Sequence, residues 1–564
     1  MDVKSSTGLL YLAALGNANG ASPTGLTSAA AANIDLSQIK RPTDTLPVTE
    51  EAKSAVVGRP GLITESIPIS PISVTPEPSK PSTIVTLGQM PELSPTYEEL
   101  VMVNLLRDKS PTGPAGTAVS QALMQSFNQL NDQKTTFTPS NLLSKVGALS
   151  RETSVYRNEV RRFSVPQNIA LDKFSPDFSK SVGTRAETVT LNIKTKEGDN
   201  IQIQVSRNTS GKDTSQLEFS FTVDGELSEQ EQLALEKLAT KLGEMGDEFF
   251  RAGSTELRGL KDIDTDVISH FSFSLQRFDP ATNKYLEQKY EFNVDDVAQT
   301  QELVAVDVNN YKVEIKTGLQ SIAQENVLEH ELLQQYLDLI RKSSDESHTP
   351  NASKRFMVDA FRSMFSGFIA TGEPGVEGAA EQTADAKTPE AALRAFDTGM
   401  PDFKATFRSP VVHNPGFYTQ TSAMVLTIEQ QTTAEKNGDE LLVKQESRYE
   451  LKNNHFGFAA AAAVGDLGGN YTYTTDYEQG TTSRILSATN DEVNNLWIEQ
   501  DITKEVEKNQ FMHYKLVDQD NRSYEDRKVR DFAELLEKLH DNNQRLGVEE
   551  LLNSSKNQLF MRYS

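Results

Sequence analysis

Apolar and polar residues alternate at Val189, Leu191 and Ile193, and again at Ile201, Ile203 and Val205, on either side of a polar stretch at 196–200. A period of two puts every apolar side chain on one face of a pleated strand, so the spacing predicts a β-hairpin with one buried face. A third strand is expected over 217–223, ending at Asp224 and Gly225. Ser228 and Glu231 then have the spacing of a capping box. The helix they open carries Leu235, Leu238, Leu242, Met245 and Phe249 at helical steps. Strands are expected over 271–278, 285–292 and 303–308, and helices over 326–341 and 354–369. The second of these helices presents Phe356, Phe361, Met364, Phe365 and Phe368, with Lys354, Arg355 and Arg362 among its polar positions.

A second β-rich unit begins near Pro401. Strands are expected over 424–428 and 441–443, flanking Asn437-Gly438 in a loop longer than two residues, and over 449–451, 471–477, 497–502 and 511–517. A closing helix is expected over 525–540, burying Phe532, Leu535, Leu536 and Leu539. Strands followed by a helix recur in both halves, with too little residue identity to establish a duplication.

The N-terminal region has a different pattern. Ten prolines fall between Pro42 and Pro95 in a background of Ser, Thr and Ala. Proline fixes φ and donates no hydrogen bond, so neither helix nor sheet propagates through such spacing, and residues 1–95 are expected to be a disordered tether. The apolar run 8–16 is short for a secretory leader and has no net positive charge before it. Helices are expected over 97–107 and over 117–130, the latter with Val119, Leu123, Phe127 and Leu130 on one stripe. The resulting division is tether 1–95, a helical and irregular segment 96–185, a first module 186–371, an acidic linker 372–398 and a second module 399–564. The expected fold class is α+β, two antiparallel-sheet-plus-helix modules joined by helices and a linker.

Composition narrows the function more by exclusion than by assignment. The chain has 564 residues, 56 Lys and Arg against 80 Asp and Glu, and a net charge of −24. With no basic stripe, nucleic acid is excluded as a partner, and an anionic membrane surface would repel the chain. No apolar run is long enough to span a bilayer as a helix. Cysteine is absent, which removes thiol nucleophiles, Cys-ligated metals and disulfides together.

The stretch Leu217-Glu-Phe-Ser-Phe-Thr-Val-Asp-Gly-Glu-Leu-Ser-Glu229, through Gly246-Asp-Glu-Phe-Phe250, to His270-Phe-Ser-Phe-Ser-Leu275 resembles a functionally uncharacterised bacterial family. In that family such a strand leads into an acidic helix ending Asp-Glu-Phe-Phe. The resemblance covers about residues 186–278. It implies bacterial origin and no chemistry.

No motif supplies a reaction. The seven histidines never stand at the spacing of a helical metal pair, and His330-Glu-Leu-Leu-Gln334 has Gln where a zinc-protease helix needs its second His. Asp262, Asp264 and Asp266 have calcium-loop spacing, but Val267 and Phe273 replace the required Gly and Glu, so a solvated turn is expected. Asp518 to Asn521 reads as a hairpin turn. Gly465-Asp-Leu-Gly-Gly469 is neither a dinucleotide fingerprint nor a P-loop. No catalytic residue is assigned, and no cofactor or metal is expected. The aromatic–Met stripe Phe356, Phe361, Met364, Phe365 and Phe368 is the candidate interaction surface if exposed, and core if covered. The chain is expected to be a non-enzymatic structural or protein-interaction protein with a protein partner, bacterial and exported or surface-associated. A carboxylate- or divalent-metal-dependent enzyme acting on a polymer such as polysaccharide, and a cytosolic adaptor using its tether, are the alternatives.

Overall fold

Thirteen strands of the protein share one row of facing residues, apolar as far as Tyr449. In the computed structural model Val223, Ile201, Ile193, Phe271, Phe292 and Leu303 stand opposite one another in successive strand pairs. The same row continues through Ile315, Ala405, Ile428 and Tyr449 to Gly480, Ile502 and Asp526. The structure describes residues 99–108, 113–132, 135–180, 185–210, 213–255, 257, 263–319, 330–365, 398–413, 420–458, 470–490 and 492–532. The expected tether and all but the last residue of the expected acidic linker lie outside them.

The strands are β1 (Leu100–Asp108), β2 (Val155–Pro166), β3 (Arg185–Thr195), β4 (Asn200–Ser210), β5 (Asp213–Asp224), β6 (Ile268–Asp279), β7 (Lys284–Asp295) and β8 (Thr300–Val306). They continue with β9 (Lys312–Gly318), β10 (Phe403–Arg408), β11 (Val412–His413), β12 (Thr421–Asn437), β13 (Glu440–Phe458), β14 (Tyr471–Thr489), β15 (Glu492–Met512) and β16 (Lys515–Asp531). Their order in the sheet is β1-β2-β5-β4-β3-β6-β7-β8-β9-β10-β12-β13-β14-β15-β16, with β11 attached to β12. Every pairing is antiparallel.

The fold is therefore mainly β rather than a balanced α+β. It shows no division between the two expected modules, because β9 of the first pairs along its length with β10 of the second.

The helices α1 (Pro114–Asp132), α2 (Ser140–Leu143), α3 (Val146–Ser150), α4 (Glu229–Ala252), α5 (His330–Glu346) and α6 (Asn351–Phe365) cover the apolar face. α1 lies on β2 and β5, α4 on β6, α6 on β9 and α5 on β12. Val119, Leu123, Phe127 and Leu130 of α1 are buried as their spacing predicts. The capping box is present: Ser228 Oγ accepts from the Glu231 amide, and Glu231 Oε2 accepts from the Ser228 amide at 2.8 Å. One hydrophobic cluster runs from Val119 to Leu451 through both expected modules. The other face is polar, with Asn192 opposite Gln202 and Ser272 and its side chain donating to Ser272 Oγ at 3.0 Å.

Several expectations are corrected. Residues 100–108 form a strand, not a helix. Leu100 to Leu106 is almost continuously apolar, and β2 offers it a full-length partner from Leu100↔Pro166 to Asp108↔Asn158. The expected segment 96–185 thus contributes two strands. The start of the expected closing helix, 525–531, is strand, held by pairing with β15 from Trp497↔Asp531 to Met512↔Lys515. Phe532 is buried, and 533–540 lies outside the described residues. Asp518 to Asn521 is inside β16. The turn falls instead at His513-Tyr514, whose φ values of 48° and 63° are both left-handed. The Asn437 hairpin is tighter than expected: Asn437 pairs with Glu440, leaving only Gly438 (φ 63°) and Asp439 in the loop.

Candidate functional site

The structure places Phe356, Phe361, Met364 and Phe365 in the core, at most 5% exposed, and not on a surface. They fill the space between α6 and the sheet. Phe361 lies 5.7 Å from Phe403 and 6.0 Å from Tyr336, and Phe356 lies 6.2 Å from Tyr290. Phe368 and Gly465 to Gly469 are outside the described residues. In α5, Gln334 donates to Asp338 at 3.0 Å. Asp264 forms an Asx turn, its Oδ1 accepting from the Asp266 amide at 3.2 Å.

A group of titratable side chains with shifted values, His455, Asp476, Glu478 and Lys504, lies where α5 ends on β13–β15. The strand registers set Asn453 opposite Asp476, His455 opposite Thr474, and Glu478 opposite Lys504. The turn after α5 brings down His348, in the left-handed region at φ 54°. Its ring stands edge-on to His455 with centroids 5.2 Å apart. His455 Nδ1 is 3.9 Å from Asp476 Oδ2 and 3.4 Å from Asn453 Nδ2. Burial, then the neighbouring His348 and Lys508, hold the His455 imidazole below its ordinary value. Burial pushes the Asp476 carboxyl up, Lys504 opposing it. Burial acts the same way on Glu478, but Lys504 at 2.9 Å and the Tyr449 hydroxyl at 2.8 Å outweigh it and keep that carboxyl low. Lys504 Nζ also lies 3.8 Å from Glu346. A neutral imidazole near a carboxylate has the make-up of an acid–base pair. Here the ring's closer polar neighbour is the Asn453 amide, the Asp476 carboxylate stands off at 3.9 Å, and the surrounding charges close on one another as a structural network does.

This network has a measurable signature. A depressed imidazole value means that stability from His455 is present above its unfolded value of about 6.5. That stability is lost as pH falls, because the unfolded chain takes up a proton that the buried ring refuses. Urea midpoints are expected to fall between pH 7.5 and 5.5, and His455→Gln is expected to flatten that decline. An identical decline in the variant would show that His455 does not set it.

Among the described residues, Glu197, Asp199 and Glu231 are the one set whose ligand atoms come within metal-holding distance, inside 4.8 Å of one another. Each of the two less exposed carboxyls has a local role. Glu231 closes the capping box, where burial is offset by donors from Thr195 and Ser228 and the carboxyl stays low. Asp199 sits against Gly225 (φ 130°), where a Cβ would lie 1.6 Å from its Oδ1, and burial pushes it up. The positive end of α4 favours these anions and opposes an added cation.

The β15–β16 hairpin departs furthest from the sequence expectations. The strand expected over 497–502 lies inside β15, but the one expected over 511–517 is interrupted by the turn at His513-Tyr514. β16 takes the place of the turn expected at 518–521 and of the start of the helix. Of the 17 residues of β16, all but Asp520 and Asp526 are exposed, and those two are half-buried. Leu516, Val517, Tyr524 and Val529 are 52–58% exposed, and Met512 and Tyr514 at the turn nearly as much. Among the described residues β16 pairs only with β15, and no strand lies along its outer edge. The signal for it is an even spread of charge without any apolar stripe across 515–531, which fits an exposed strand better than a core-facing helix. Comparison with protein-family models, curated proteins and solved structures finds no match to this chain.

Proposed function

We propose that the chain is a non-enzymatic structural or protein-interaction protein, of bacterial origin and exported or surface-associated, that engages its partner through the β15–β16 hairpin. The observation that carries this reading is the edge of β16, beside which no strand lies among the described residues, with its exposed Leu516, Val517, Tyr524 and Val529. A strand edge offers a row of unpaired amides and carbonyls, and addition of another strand satisfies them. The absence of cysteine and the Pro-rich N-terminal region support the export element.

Chemical cross-linking in native cells, read by mass spectrometry, tests the reading. Cross-links from the hairpin to another polypeptide chain are expected, and Leu516→Lys combined with Val517→Lys is expected to remove most of them while the thermal melt stays unchanged. Cross-links that survive the substitutions, or a saturable turnover abolished by one point mutation, would overturn it.

A further inference from the structure

Charge on an edge strand ordinarily keeps other strands away. β16 carries five basic and five acidic side chains, so the two strands bring no net charge of their own to the contact although each whole chain carries −24, and the order of the signs decides what the edge accepts. On the face shared with Ile502 and Lys504, its residues run Asp518, Asp520, Arg522, Tyr524, Asp526, Lys528, Arg530. If two copies lie edge to edge and antiparallel, their twofold axis is perpendicular to the sheet. Same-numbered residues then keep the same face, and opposed residues differ by an even number.

With Tyr524 on the axis, Asp518 faces Arg530, Asp520 faces Lys528, and Arg522 faces Asp526 of the second copy, and symmetry repeats each pair. On the other face Val517 meets Asp531, Gln519 meets Val529, Asn521 meets Arg527 and Ser523 meets Glu525. No like charges meet.

Neighbouring registers do not share this property. With Ser523 on the axis, Asp520 opposes Asp526. With Glu525 on the axis, Glu525 opposes itself and Arg522 opposes Lys528. Like charges placed directly opposite destabilise a strand pair, so the sequence of signs rejects those registers and admits the one centred on Tyr524. Within one copy Arg522 already pairs with Asp520 at 2.6 Å, and Lys528 with Asp526 at 2.7 Å. A second copy adds a further opposite charge to each of these, extending two short pairs into a continuous alternating ladder.

We infer that β16 is a self-complementary dimerisation edge, and that two copies of this chain join there into one continuous sheet with Tyr524 at the twofold axis. The inference rests on the reading of the β15–β16 hairpin as an interaction surface and names a second copy as its occupant.

Sedimentation equilibrium of the full chain tests it. A concentration-dependent dimer is expected, weakened by added salt because its partners are exposed charges. Asp520→Lys and Lys528→Asp each set like charges against each other at two symmetric points. Each is expected to raise the dissociation constant about tenfold, and the double swap is expected to restore it. Because the chain has no cysteine, Tyr524→Cys provides a single thiol. It is expected to give a disulfide-linked dimer on mild oxidation, whereas Arg522→Cys, which opposes position 526, is expected to link poorly.

A chain that stays monomeric at all concentrations, or a dimer that the double swap fails to restore, would overturn the inference. A monomer whose hairpin cross-links in native cells lead only to a different polypeptide would overturn the second copy as occupant and leave the interaction surface standing. A monomer without hairpin cross-links would remove both.

Discussion

Replacing Phe361 with Ala is expected to lower the unfolding free energy by about 3–5 kcal/mol, the cost of a fully enclosed aromatic side chain plus the cavity it leaves. Phe361 is 0% exposed. Its ring centroid lies 4.6 Å from that of Phe365 on the same helix, 5.7 Å from Phe403 and 6.2 Å from Phe407 on β10, and 6.0 Å from Tyr336 on α5. It thus joins both helices to the strand that links the two halves of the sheet. Little can collapse into the space, because its neighbours are themselves rings held by the backbone of a helix or a strand. Phe361→Leu should cost much less. Denaturant titration followed by circular dichroism measures both. A loss below about 1 kcal/mol for the Ala variant would be out of line with a packed core position and would return the aromatic stripe of α6 to consideration as a surface.

Gly480→Ala is expected to destabilise by about 1–3 kcal/mol although it adds a single methyl group. Gly480 stands directly opposite Tyr449, and a Cβ there would lie 2.1 Å from Tyr449 Cε1 and 2.8 Å from Cζ. The ring has nowhere to retreat: Tyr449 is 1% exposed, and its hydroxyl is committed to Glu478 at 2.8 Å. Moving it would also disturb the carboxyl that faces Lys504. Tyr449→Leu in the Gly480→Ala background should recover part of the loss, because the smaller side chain vacates the methyl's position while the hydrogen bond is given up. Full additivity of the two substitutions would mean that the ring and the glycine do not meet.

The parts of this fold that were readable in advance are those whose cause is local. The β3–β4 hairpin announces itself because each strand alternates and the turn between them is polar. The start of α4 is fixed by two residues three positions apart. The apolar stripe of α1 was legible for the same reason. β2 was not, because Asn158 shares a face with Tyr156 and Val160 while the opposite face buries Glu159 and Arg161, so no alternation of apolar and polar residues marks it. Pairing with β5, more than fifty residues on, is what makes it a strand. The aromatic face of α6 could be read, but not what it faces. β10 supplies Phe403 and Phe407 from beyond a linker of small residues, and no periodicity within the helix reports that. The histidine cluster was invisible for a related reason: His348 and His455 are more than a hundred positions apart and meet only because a helix end is set down on a strand. The charged stretch of β16 before Phe532 resembles the first turns of a helix in sequence, but pairing with β15, the strand immediately before it, makes it a strand.

The order of strands also has a consequence for how the chain is made. From β6 to β16, β11 aside, each strand lies beside the one that precedes it in the sequence. Behind a ribosome the sheet can lengthen one strand at a time, each arrival covering the edge left by the last, with little search except between β9 and β10, where α5, α6 and the linker intervene. The β1–β5 block differs, since β2 must wait for β5 and β3 for β6 before its second edge is filled. A nascent chain that stalls anywhere beyond β6 therefore carries a newly made edge, different at each length, which the neighbouring chain on the same message is well placed to capture. Steady translation through residues 268–531 is accordingly a condition for a clean yield of the full sheet.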